Sequence, residues 1–160
     1  MAKYIFLDID GVLNSRLTRT KAPYDCKGIG KKHLAVLKEI VNQTGGKIVL
    51  ISDWRLSFLP NDHMPLMADY IATTLNKQGL PLELVSTNHQ YEIRSKEIKE
   101  WIETHKTEGY IILDDGDDRW YNIDSIKPHW VHTDYRKGLT EEHISEAVNK
   151  MMLPVIPIEF

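Results

Sequence analysis

Tyr4-Ile5-Phe6-Leu7-Asp8-Ile9-Asp10-Gly11 is the stretch that decides the fold. Its first four residues are apolar, rich in β-formers and without polar alternation, the pattern of a strand covered on both faces. Two aspartates two positions apart follow, and then a glycine. Residues i and i+2 of a strand point to the same side, so Asp8 and Asp10 can converge on one small volume while Gly11 lets the backbone turn sharply away. A single aspartate after a strand can merely cap a turn. Two of them, followed by Gly11-Val12-Leu13, point to a site.

Working outward, residues 31–43 place Leu34, Leu37, Ile40 and Val41 at helical spacing before Gly45-Gly46, and Lys47-Ile48-Val49-Leu50-Ile51 reads as a second buried strand. Residues 64–77 read as a helix closed by Gly79, residues 82–85 as a strand, and residues 96–105 as a helix with Ile98, Trp101 and Ile102 inward. Tyr110-Ile111-Ile112-Leu113 is a fourth strand and Trp130-Val131 a short fifth. Residues 140–152 close the chain with a helix that has Glu141 and Glu142 in its first turn. The least regular parts are 14–30, 56–63 and the tail after Leu153, which reads as a packed end piece. Such alternation predicts a three-layer α/β/α, Rossmann-like domain with a mainly parallel sheet. Its ligands should bind beyond the carboxyl ends of the strands.

Composition agrees with this class. The 160 residues suit one domain spanning 1–160, and 42% hydrophobic with 27% charged residues is an ordinary globular balance. A net charge of −3 supplies no global attraction to nucleic acid, although a local basic patch beside an acidic site remains compatible with it. Cys26 is the single cysteine, so no intrachain disulfide is possible, and no signal-like leader precedes the first strand; the cytoplasm is the expected location. The longest apolar runs fall far short of the roughly 20 residues that cross a bilayer, so no membrane partner is expected.

Chemistry-bearing residues stand where the strands end. Asp8 and Asp10 follow the first, Ser52 the second, and Asp114 and Asp115 the fourth. Crowded carboxylates repel, and either one takes up a proton or a hard cation neutralises the group. An oxygen-only donor set without a His or Cys cluster suggests magnesium over zinc. A divalent ion beside a carboxylate also makes a place for a phosphate dianion, and phosphoryl transfer is the natural chemistry.

The run Phe6-Leu7-Asp8-Ile9-Asp10-Gly11-Val12-Leu13 resembles the first motif of the haloacid dehalogenase (HAD) superfamily, in which an aspartate nucleophile precedes a second aspartate by two residues. Ser52 resembles its second motif and Asp114-Asp115 its acidic fourth. For the third motif, a cation opening the helix before the acidic strand, Arg94 aligns best and Lys96 is the fallback. The resemblance covers residues 4–135. Ile51-Ser52-Asp53-Trp54-Arg55 with Gly138-Leu139-Thr140 looks like the small HAD domains found alone or in RNA-repair proteins.

The resemblance implies roles. Asp8 would attack phosphorus and become an aspartyl-phosphate; Asp10 would protonate the leaving alkoxide and then deprotonate the hydrolytic water. Ser52 and Arg94 would hold the phosphate. Magnesium would be held by Asp8, the backbone carbonyl of Asp10, and Asp115 or Asp114, with Asp118 as a supporting acid. An acid at position 10 favours phosphate ester hydrolysis over the dehalogenase and phosphonatase branches.

Blander readings stand beside these. Ser52 is as good a helix cap as a ligand. Trp54 and Arg55 can clamp a substrate, but an aromatic beside a core strand more often packs. His129 and His132 are spaced so that one metal would not receive both, and they read as structural. Both places where HAD relatives carry a lid are short here, which implies little or no cap and a nearly open site that admits a nucleotide or a polynucleotide end. Two alternatives differ in class. A receiver-like phosphoacceptor domain also uses acids and magnesium, but carries its acceptor on a middle strand. A catalytically silent HAD-like module would bind metal or a partner without turnover.

Overall fold

A computed structural model of the chain describes residues 1–60, 64–86 and 94–160. The elements run β1 (Ala2–Leu7), α1 (Lys31–Thr44), β2 (Lys47–Leu50), a 3-10 helix (Asp53–Phe58), α2 (Pro65–Lys77), β3 (Leu84–Val85), α3 (Arg94–Thr104), β4 (Thr107–Asp114), α4 (Asp118–Tyr121), β5 (Trp130–His132) and α5 (Glu142–Met151). Five strands form one parallel sheet in the order β3-β2-β1-β4-β5.

Alternation along β1 builds both layers. Ile5 and Leu7 face a cluster completed by Leu37 and Ile40 of α1, Ile71 and Leu75 of α2, and Met151 of α5. Tyr4 and Phe6 face the opposite cluster, with Ile98 of α3 and Tyr121 of α4. A strand buried on both faces has no polar side to show, which is why the run read as continuous rather than alternating. The expected three-layer α/β/α, Rossmann-like arrangement with a parallel sheet is what the chain adopts.

Boundaries differ where tertiary pairing overrides local pattern. β1 starts at Ala2 and β4 at Thr107 because the two pair from Ala2 opposite Thr107 to Leu7 opposite Leu113. β3 shrinks from the expected 82–85 to Leu84–Val85, the two residues that pair with Val49 and Leu50. β2 ends at Leu50 and α2 starts at Pro65, a residue preorganised for a first helical turn. α3 starts at Arg94 rather than at Lys96. Glu141 stands at the N-cap of α5, so only Glu142 lies in its first turn. Part of 56–63 is ordered into the 3-10 helix, and residues 61–63 lie outside the described residues. The tail packs: Ile158 is buried against the α3 face and its carbonyl accepts from Lys99 Nζ at 2.9 Å. Among the described residues no helix is long and apolar enough to cross a membrane.

Candidate active site

Strand order reverses at β1. The chain moves outward through β2 and β3 and then returns to add β4 on the other side. Loops leaving β1 and β4 therefore diverge to opposite faces and open a crevice at the carboxyl ends, the place where open α/β sheets bind ligands. Register levels the site residues. Leu7 pairs with Leu50 and with Leu113, so Asp8, Ser52 and the Asp114-Asp115 pair emerge close together.

Carboxylate oxygens of Asp8, Asp114 and Asp115 lie within 4.8 Å of one another. Asp114 is fully buried and both its oxygens are engaged. Arg94 Nη1 donates to Oδ2 at 2.7 Å, the Tyr121 hydroxyl donates to the same oxygen at 2.5 Å, and the Gly116 amide donates to Oδ1 at 2.7 Å. Arg94 Nη1 also pairs with Asp8 Oδ2 at 3.3 Å, and the Trp120 ring lies over the guanidinium at 4.6 Å. Asp115 is half-buried and leans on the backbone of Gly11, where a Cβ would stand 2.0 Å from its Oδ2. Gly11 has φ of +80°, so that turn needs glycine both for its backbone conformation and for room.

One guanidinium does not balance three acids. Burial and the charge of Asp114 push the Asp8 carboxyl well above the usual carboxylate range, with Arg94 pulling the other way. Burial and Asp114 likewise raise Asp115, opposed by a hydrogen bond with Asp8. Burial disfavours the charged form of Arg94, yet the charges of Asp8 and Asp114 outweigh it and raise its pKa above the ordinary value. Excess negative charge on hard oxygen donors is what a divalent cation neutralises, so the acidic cluster could hold one. The turn leaves a further oxygen: Val12 and Leu13 both donate to the carbonyl of Ile9, not to that of Asp10.

Asp8, Asp10, Ser52, Arg94 and Asp115 line a single cleft of about 310 Å³, with Trp120 at its side. Asp8 is buried and Asp10 is exposed above it. Asn14 Nδ2 donates to Asp10 Oδ1 at 2.9 Å and Trp54 Nε1 to Oδ2 at 3.2 Å. Asn14 also accepts the Gly11 amide at 2.9 Å, and Thr133 donates to the Gly11 carbonyl at 2.8 Å, so the turn is pinned from two sides. Ser52 Oγ accepts the Trp54 amide at 3.2 Å. Among the described residues nothing takes its hydroxyl proton, so it caps the 3-10 helix and still has a donor to offer.

The other sequence candidates do not line the cleft themselves, but Trp54 reaches Asp10, which does. Arg55 is only 5% exposed and turns inward: Nη2 pairs with Glu97 Oε1 of α3 at 3.0 Å, and Nη1 donates to the Ser52 carbonyl at 3.1 Å. It thereby ties the turn after β2 to the helix that carries Arg94. Trp54 is half-buried with its indole nitrogen on Asp10. Lys96 and Asp118 are exposed and neither lines the cleft. Buried His129 stacks on Tyr110 and exposed His132 on Trp130, and neither lines the cleft. Asn14, Trp120 and Tyr121 carry contacts that sequence reasoning missed. Only Asn14 left a signal, a preferred turn residue four positions after Asp10.

A family model described as HAD domain in Swiss Army Knife RNA repair proteins matches residues 4–144. No curated protein and no solved structure matches the chain.

Proposed function

The chain belongs to the HAD domains of Swiss Army Knife RNA repair proteins, and from that premise we propose that it is a magnesium-dependent phosphatase acting on phosphate monoesters through an aspartyl-phosphate. The observation that carries this reading is the convergence of Asp8, Asp10, Ser52, Arg94 and Asp115 on one cleft.

Asp8 attacks phosphorus with a carboxylate oxygen, and the bond to the ester oxygen breaks as Asp10 delivers a proton to the leaving alkoxide. Asp10, now a carboxylate, then takes a proton from a water that attacks the same phosphorus, freeing phosphate and restoring Asp8. An exposed side chain oriented by the neutral donors Asn14 and Trp54 suits that exchange of protons. Arg94 and the Ser52 hydroxyl bind phosphoryl oxygens. Asp8, Asp115 and the carbonyl of Asp10 would hold magnesium, while Asp114, whose oxygens are engaged, sets the position of Arg94. Bound there, the ion would shield the Asp8 carboxylate from its anionic substrate.

The substrate we favour is a nucleotide or a polynucleotide end, handled in the cytoplasm. Support comes from the approach to the cleft: residues 14–30 contribute only a 3-10 turn (Pro23–Asp25) and an isolated bridge between Lys21 and Lys27, too little to cover it. The residues between Ser86 and Arg94 lie outside the described residues.

The test is phosphate release in magnesium from a panel of monoesters, including mononucleotides and phosphorylated RNA and DNA ends, by the wild type and Asp8→Asn. The variant should lose about 10³-fold or more in rate. Equal release by both proteins would sink the mechanism, and silence of the wild type across the panel would favour the non-catalytic binding module.

A further inference from the structure

A second concavity lies beside the cleft. It encloses about 550 Å³ between residues 15–20, the start of α1 and residues 136–140. Arg19, Lys31, Lys32, Arg136 and Lys137 line it, and no acid does. In a chain of net charge −3 this is a strong local segregation of charge. Among the described residues no acid forms an ion pair with any of these five side chains. The neighbouring Asp134 accepts the Arg136 amide at 2.9 Å and its charge also acts on the Arg136 guanidinium, which hydrogen-bonds the Tyr135 side chain, so the lysines are the freer cations of the groove. Cations collected in a hollow create a positive potential that attracts an anionic ligand.

The walls are held in place. Arg16 N–H donates to the Tyr135 carbonyl at 2.9 Å, Lys27 Nζ to the Ser15 carbonyl at 2.8 Å, and Gly30 N–H to the Leu13 carbonyl at 2.7 Å. Short backbone steps link the groove to the reacting groups. A smaller hollow lined by Asp115, His132, Thr133, Asp134 and Tyr135 shares Asp115 with the cleft, and its Tyr135 immediately precedes Arg136. Ser15 of the groove follows Asn14, the residue that holds Asp10. Tyr135 is 53% exposed, with the Arg136 guanidinium over one side of its ring at 5.9 Å.

We propose that this groove binds the backbone phosphates of a single-stranded polynucleotide whose terminal phosphomonoester lies in the cleft. The inference rests on the phosphatase reading of that cleft and adds how the rest of the substrate is held. A flexible polymer with regularly spaced charges can run from the groove toward the cleft, and a base can stack on the side of the Tyr135 ring that Arg136 does not cover. A flat lipid surface cannot enter a hollow.

The experiment measures anisotropy of a labelled single-stranded RNA of about 12 nucleotides, long enough for one such site, against the full chain carrying Asp8→Asn to prevent turnover. Adding Lys31→Gln, Lys32→Gln and Lys137→Gln should weaken binding about tenfold or more. It should also lower the slope of log affinity against log salt by about 2, since each lost phosphate contact is worth about 0.7. The same positions changed to Arg should retain binding. With Asp8 intact, the Gln variant should hydrolyse a small aryl phosphate at the wild-type rate and keep the wild-type melting temperature. Unchanged affinity and slope in the Gln variant, failure of the wild type to bind RNA, or preferential binding to anionic phospholipid vesicles would each overturn the groove assignment. Charge-dependent RNA binding without hydrolysis of any monoester would support the groove and remove the phosphatase reading. Hydrolysis of small esters with charge-independent RNA binding would do the reverse.

Discussion

Asp10 is exposed, yet both of its carboxylate oxygens are engaged, by the Asn14 amide and the Trp54 indole. These contacts make Trp54 a residue that orients the proposed acid/base. Trp54→Phe keeps the ring and removes the donor; the loss of one hydrogen bond, about 1 kcal/mol, should lower kcat on a small monoester about fivefold with KM little changed. A rise in KM at constant kcat would instead make Trp54 a substrate contact. Residue types alone could not divide the work in this stretch. Ser52, Trp54 and Arg55 all follow a core strand, and only packing shows that Arg55 turns to Glu97 while Trp54 turns to Asp10.

At the scale of the element, α3 combines cation and acid one turn apart. Arg94 reaches Asp8 and Asp114, and Glu97 reaches Arg55 and the Ser86 hydroxyl, which donates at 3.3 Å. Burial pushes the Glu97 carboxyl up to about 7 from 4.5, against the pull of Arg55. A folded-state value above the unfolded one means that the folded chain holds the proton longer. The stability linked to this group is therefore complete below about pH 4.5 and is lost as the pH rises through about 7, a difference on the order of 3 kcal/mol. Urea unfolding at intervals across that window should show stability declining, and Glu97→Gln should flatten the decline. A profile of equal slope in the variant would remove Glu97 as the cause. The start of this helix was illegible to hydrophobic pattern, because Arg94, Ser95 and Glu97 are polar and yet buried. Their burial comes from the acids and strands they meet, which lie far along the chain.

Over the whole molecule, the reversal of strand order at β1 gathers acids from the first and fourth strands beside one cation from α3. A cation that binds only the folded chain stabilises it, and magnesium at about a hundred times its dissociation constant should raise Tm by about 5 °C or more. Burial and the charge of Asp114 raise the carboxyls of Asp8 and Asp115, so the ion must displace protons to bind. The rise should be larger near about pH 8 than near about pH 5.5, and Asp115→Asn should abolish it; a rise independent of pH, or unchanged in that variant, would place the ion elsewhere. By itself the sequence determined the alternation of strands and helices, the parallel sheet, and the arrival of Asp8, Asp10, Ser52 and Asp114-Asp115 at strand ends. Those features depend on local periodicity and on the side a strand residue faces. Tertiary structure alone decided that Arg94 sits within 3.3 Å of Asp8, that Asp114 is saturated while Asp115 leans on Gly11, and that five cations share one groove. Each of these joins residues distant in sequence, and such meetings are set by strand order and register, which no local pattern encodes.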